Sequence, residues 1–181
     1  MNTETKERRV AEIEVRAKGR RLEGYAALFG TEARIGSFTE TIRAGAFTEA
    51  LTKPDILALV DHDPARVLAR TRSGSLRLSQ DTKGLAFALD VPETQAGRDV
   101  LALAERGDVG GMSFGFTIPN GGDHWQGDAR ELRNVDLHEI SVVLAWPAYD
   151  GTVVNARAMI KGKPWRLNLA RRYLETLEGS P

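Results

Sequence analysis

The stretch Gly110-Gly111-Met112-Ser113-Phe114-Gly115-Phe116 sets the reading of the whole chain. It opens an alternating strand directly after an amphipathic helical pattern, and it places one serine among three glycines and two aromatics. Glycine lets backbone take unusual dihedrals and lets another chain approach closely, which a nucleophilic serine needs and a packing serine does not. Glycine also marks ordinary bulges and turns, so the cluster gains weight from two other segments. These are Leu59-Val60-Asp61-His62-Asp63 upstream and Leu137-His138-Glu139-Ile140-Ser141 downstream.

Working outward, most of the chain reads as short strands. Ile13, Val15 and Ala17 alternate with charged residues, Gly19 marks a turn, and residues 21–29 form the returning strand. Strand patterns recur at 56–60, 67–71, 75–78, 85–91, 112–118 and 130–145. Helical spacing of Ile42, Ala46, Phe47 and Leu51 predicts a helix over 42–51, stopped by Pro54. A clearer helix begins at Pro92-Glu93-Thr94 and runs to about Arg106, with Val100, Leu101, Leu103 and Ala104 as its apolar stripe and Gly107 as its stop. Residues 120–127 read as a glycine-rich hairpin tip or loop, 161–164 as a linker, and 165–177 as a terminal helix. That helix carries an apolar stripe suited to packing on the main domain or on a second subunit. The expected organisation is a flexible arm over 1–9, one β-rich domain over 10–160, and a linker with a helix over 161–181. Many antiparallel strands with inserted helices favour a mainly β (α+β) fold, a closed or nearly closed barrel.

Bulk properties narrow the function. The 181 residues carry 25 basic and 25 acidic side chains, so no broad positive field attracts nucleic acid. The absence of cysteine removes disulfides, thiolate nucleophiles and cysteine-bound zinc. No apolar run approaches the ~18 residues of a membrane span. The polar start, Met1 to Arg9, has no signal-peptide core, and an intracellular protein is expected.

Ser113 is the candidate nucleophile, and a serine needs a base within hydrogen-bond reach. Three histidines are available, His62, His124 and His138. His62 is best placed, at the end of an apolar strand; Asp61 and Asp63 flank it, and one of them could cap a turn made by Pro64. His124 lies in a glycine-rich loop and reads as a surface residue. A third group must orient the base. His138 and Glu139 are adjacent, so on a regular strand only one faces the site. Leu137, Glu139 and Ser141 would share one face, and His138, Ile140 and Val142 the other, more apolar one. A metal reading from Asp61, His62, Asp63 and His138 requires sequential side chains to converge, which makes it the minority reading.

Three segments joined to two earlier ones, Leu22 to Phe29 and Ile42-Arg43-Ala44-Gly45-Ala46-Phe47, resemble in this order the prohead protease family of tailed bacteriophages. The third of them closes on Trp146-Pro147-Ala148-Tyr149, and the resemblance spans residues 20–156. It implies a herpesvirus-protease-like closed antiparallel β-barrel flanked by helices. It implies a serine endopeptidase that works without a cofactor, inside the immature capsid in the bacterial cytoplasm. Its partners would be the major capsid protein, whose scaffolding region it cleaves, and the chain itself. By motif match Ser113 would be the nucleophile, His62 the general base and Glu139 the third member, with His138 as the alternative that related herpesvirus enzymes suggest. The competing readings are a catalytically silent, scaffold-binding assembly barrel and a carboxylate-dependent, metal-assisted hydrolase.

Overall fold

The computed structural model describes residues 6–11 and 16–145. Thirteen strands and one α-helix are found among the described residues. In chain order the strands are β1 (Glu7–Ala11), β2 (Arg16–Lys18), β3 (Arg21–Leu28), β4 (Ala33–Ile35), β5 (Phe38–Ile42), β6 (Leu57–Val60) and β7 (Asp63–Arg70). They continue as β8 (Leu76–Gln80), β9 (Gly84–Asp90), β10 (Gly111–Thr117), β11 (Asp123–Gln126), β12 (Ala129–Leu132) and β13 (Asp136–Val143). The helix α1 (Gln95–Arg106) lies between β9 and β10.

The strands form three open sheets, not the expected closed barrel. One has the order β1-β10-β13-β6-β7, a second β11-β12-β5-β4, and a third β2-β3-β9-β8. Closure needs a pairing between the edge strands of one sheet, and β1 and β7 instead remain as the two edges of the first. The pairing is also not wholly antiparallel, since β13 runs parallel to β6 and β12 parallel to β5. The mainly β character holds; barrel closure does not.

The barrel was also expected to be flanked by helices, and α1 is the single α-helix among the described residues. Its ends follow from the sequence. Thr94 accepts a hydrogen bond from the Gly97 amide at the N-cap, and Gly107 takes a left-handed conformation at the C-terminus. The helix expected over 42–51 is replaced by successive turns and a short 3-10 segment, Ala50–Thr52. Ile42 ends β5, and Gly45 sits at φ +90, which breaks an α-helical path that the apolar spacing alone suggested. The terminal helix and linker lie outside the described residues.

The core forms where the first and third sheets and the 44–52 turns meet. Phe47 packs edge-on against Phe114 at 5.6 Å, and Phe114 stacks on Phe116 at 5.1 Å. Leu22, Leu85, Leu89, Ile140 and Val142 fill the space around them and are fully buried. Each such side chain contributes about 1.5–3 kcal/mol by leaving water. This anchors β10 and β13 by one face and turns Ser113, Gly115, Glu139 and Ser141 to the other.

Candidate active site

Ser113 lies on β10 directly opposite Ser141 of β13, and Gly115 lies opposite Glu139. Opposed residues in an antiparallel pair share a face, as do residues two apart on one strand. These four positions therefore form one patch on the side of the sheet away from Phe114, Phe116 and Ile140. The register slips between Gly115 and Phe116, whose partners are Glu139 and Leu137. His138 is thus the extra residue of a β-bulge. The bulge puts Leu137 in the core with Ile140 and leaves His138 exposed. Regular alternation would have set His138 on the face of Ile140 and Leu137 on that of Glu139, and the bulge undoes that pattern. Glu139 is only 2% exposed, and His138 bonds through Nε2 to Thr117 Oγ1 at 3.1 Å.

His62 reaches this patch from the neighbouring strand. β6 and β7 are joined by a two-residue loop, Asp61-His62, with both residues at positive φ, 50 and 60. That is the geometry of a type I′ hairpin, usually made by Asn-Gly or Gly-Gly. Two non-glycine residues hold it here because three hydrogen bonds fasten the loop to β13 and to the residue that follows it. Asp61 donates its amide to the Val142 carbonyl (3.0 Å) and accepts the Leu144 amide at Oδ1 (2.9 Å). The His62 amide donates to Ser141 Oγ at 3.2 Å. Asp63 accepts the Ala65 amide at 2.9 Å across Pro64, where the β6–β7 register slips.

The His62 ring places Nδ1 2.8 Å from Glu139 Oε1. Ser141 Oγ donates to the other carboxylate oxygen, Oε2, at 2.7 Å, and Lys6 Nζ stands 3.6 Å from Oε1. Burial pushes the Glu139 carboxyl up, but the His62 hydrogen bond and charge, then Ser141 and Lys6, outweigh it and hold the group below the ordinary carboxylate range. An ionised carboxylate on Nδ1 fixes the tautomer in which Nε2 is the free acceptor. An imidazole in that state can take a proton. His138 instead bonds Thr117, two residues beyond Gly115 on β10, and no hydrogen bond joins it to His62 among the described residues; partial burial followed by the charges of Lys6 and Lys53 lowers its pKa.

Ser113 is fully buried, and its hydroxyl donates to the Arg9 carbonyl of β1 at 2.7 Å. Among the described residues no hydrogen bond joins it to His62. The structure thus brings Ser113, His62 and Glu139 to one face and couples the last two directly. His124 is exposed on β11, and no metal-binding group of acidic and histidine side chains occurs among the described residues. No helix among them is long and apolar enough to cross a membrane.

Two contacts of the candidate site were not foreseen. Ser141 holds both the His62 backbone and the Glu139 carboxylate, and the signal for it was a small polar residue between Ile140 and Val142, two positions from Glu139. Arg9 lies in a segment read as a loose arm, and only the pairing of β1 with β10 reveals it.

A serine, an imidazole and a buried carboxylate on one sheet face are the residue set of serine hydrolases. A family model described as Caudovirus prohead serine protease matches residues 6–163, and the chain belongs to that family. No curated protein and no solved structure matches it.

Proposed function

We propose that the protein is a serine endopeptidase of capsid maturation that cleaves the scaffolding region of the major capsid protein, and itself, inside the immature capsid. The observation that carries this reading is the 2.8 Å hydrogen bond from His62 Nδ1 to the buried Glu139, within a chain of the prohead serine protease family. In the proposed mechanism Nε2 of His62 takes the Ser113 proton as Oγ attacks the scissile carbonyl. His62 then returns the proton to the leaving amine, and water hydrolyses the acyl-enzyme by the same path. Glu139 stabilises the imidazolium and keeps its ring oriented. Ser141 positions Glu139 and the His62 backbone.

A second reading, a silent assembly module that binds scaffold without cutting, draws on the bond from Ser113 to Arg9 rather than to His62. Co-expression with the cognate major capsid protein separates the two. Intact mass is expected to show an N-terminally trimmed capsid protein with wild type and an intact one with Ser113→Ala. If both leave it whole, the silent module is favoured; if both trim it, Ser113 is not the nucleophile.

A further inference from the structure

The contact that the Ser113 hydroxyl makes with β1 has the form of a bound peptide. β1 is an edge strand paired antiparallel with β10, and Val10 lies opposite Ser113. The Arg9 carbonyl, one residue before, receives the Ser113 hydroxyl at 2.7 Å. An extended peptide recognised by strand addition would use this same edge of β10, since a sheet edge offers a row of unpaired amides and carbonyls. Without β1, β10 would be that edge.

The side chain of Arg9 sits in a built pocket on the opposite face. Its Nε and Nη2 donate to the two oxygens of Glu40 on β5, at 2.6 and 2.8 Å, and the guanidinium lies over the Phe116 ring at 5.3 Å. Glu40 is only 3% exposed. Its other cation, Arg130, reaches it by one contact at 3.2 Å and is itself bound by Glu7 and Asp123. Removal of Arg9 would therefore leave a buried carboxylate with a single, shared partner, a costly state that an incoming cation relieves. The planar fork of arginine also matches the two carboxylate oxygens better than the point charge of lysine.

We propose that β1 occupies the peptide-binding groove of the enzyme, and that a substrate segment enters by replacing β1 along β10 with an arginine side chain in the Glu40–Phe116 pocket. Glu40 is then a specificity-determining residue, and β1 a tethered competitor that keeps Ser113 covered until substrate or assembly displaces it. This rests on the protease reading above. Its test measures binding alone, in full-length Ser113→Ala protein, so that failure here and failure of that reading are separate results.

The probe is a fluorescent synthetic peptide, Lys-Glu-Arg-Arg-Val-Ala, copying residues 6–11. Fluorescence anisotropy is expected to show at least tenfold tighter binding to Ser113→Ala/Arg9→Ala than to Ser113→Ala, because the tethered strand competes at high effective concentration only while its own anchor is intact. Replacing the second arginine of the peptide by glutamine, or adding Glu40→Gln to the protein, is expected to lose at least tenfold in affinity. Should Arg9→Ala fail to melt cooperatively, Arg9→Lys provides the same comparison with a smaller gain of the same sign. Equal binding with and without the intact Arg9, or equal binding of the arginine and glutamine peptides, overturns the proposal.

Discussion

A β-carbon on residue 115 would lie 2.9 Å from the carboxyl carbon of Glu139 and nearer still to its Oε1. Glycine at 115 is therefore the space in which the Glu139 carboxylate stands while it holds His62. The same substituent would meet Lys6 Cε at 2.7 Å, so the carboxylate cannot simply move toward that side. Gly115→Ala should destabilise the fold by about 1–3 kcal/mol, as overpacking does, and should lower kcat by pushing Glu139 off Nδ1. Thermal melting and capsid-protein cleavage, measured on the same preparation, check both. A variant with full activity would show that the carboxylate position is not needed.

The third member of the proposed triad can be separated from its neighbour by paired variants. Glu139→Gln keeps the shape but removes the charge that stabilises the imidazolium and fixes the tautomer. We expect kcat to fall on the order of 10²- to 10⁴-fold with little change in KM. His138→Ala removes an exposed bulge residue bonded to Thr117 and should leave kcat within a few-fold of wild type. The opposite ranking would transfer the orienting role to His138.

These two adjacent residues also show what the sequence could and could not convey. Alternation marked β9 and β10, coarser strand patterns over 21–29 and 130–145 marked β3 and β13, and the Thr94 and Gly107 signals bounded α1, because those features are local. The bulge at His138 is set by pairing with β10, which no window along β13 contains, and one extra residue exchanges the faces of everything beyond it. The parallel pairings of β13 with β6 and of β12 with β5, and hence the open sheets, are likewise products of distant register. Ser113, His62 and Glu139 were legible as residue types in a family order. The contact of Arg9 with Ser113 was not, because the two residues meet across 104 positions of sequence.

The Asp61-His62 loop makes a prediction that separates backbone fit from charge. Asp61 sits at φ 50, in the left-handed region that Asn and Asp tolerate better than other side chains, and its Oδ1 accepts the Leu144 amide. Asp61→Asn keeps the acceptor and the conformational tolerance and should melt near wild type. Asp61→Ala loses both and should be destabilised by about 1–3 kcal/mol, with reduced activity as His62 loses its fixed entry onto β13. Equal melting temperatures for the two variants would mean that the Asp61 side chain is not needed to hold the loop.

The depressed pKa of Glu139 fixes the sign of a pH effect. Its causes, after burial, are His62, Ser141 and Lys6, which face it from the β6–β7 loop, from β13 itself and from the residue preceding β1. In the unfolded chain the carboxyl takes up its proton near the ordinary value of 4.5, whereas the folded protein resists it until a lower pH. Between those two values the unfolded state binds more protons, so stability falls with falling pH. The contribution is fully present above the ordinary carboxylate range and is lost as pH drops through the folded value. Glu139→Gln lacks this group, so the stability gap between wild type and variant should close progressively as pH falls below about 4.5. Urea melts of both proteins from pH 5 to pH 3 measure that gap. A gap that stays flat or widens on acidification would mean that Glu139 is not held ionised by the His62 contact.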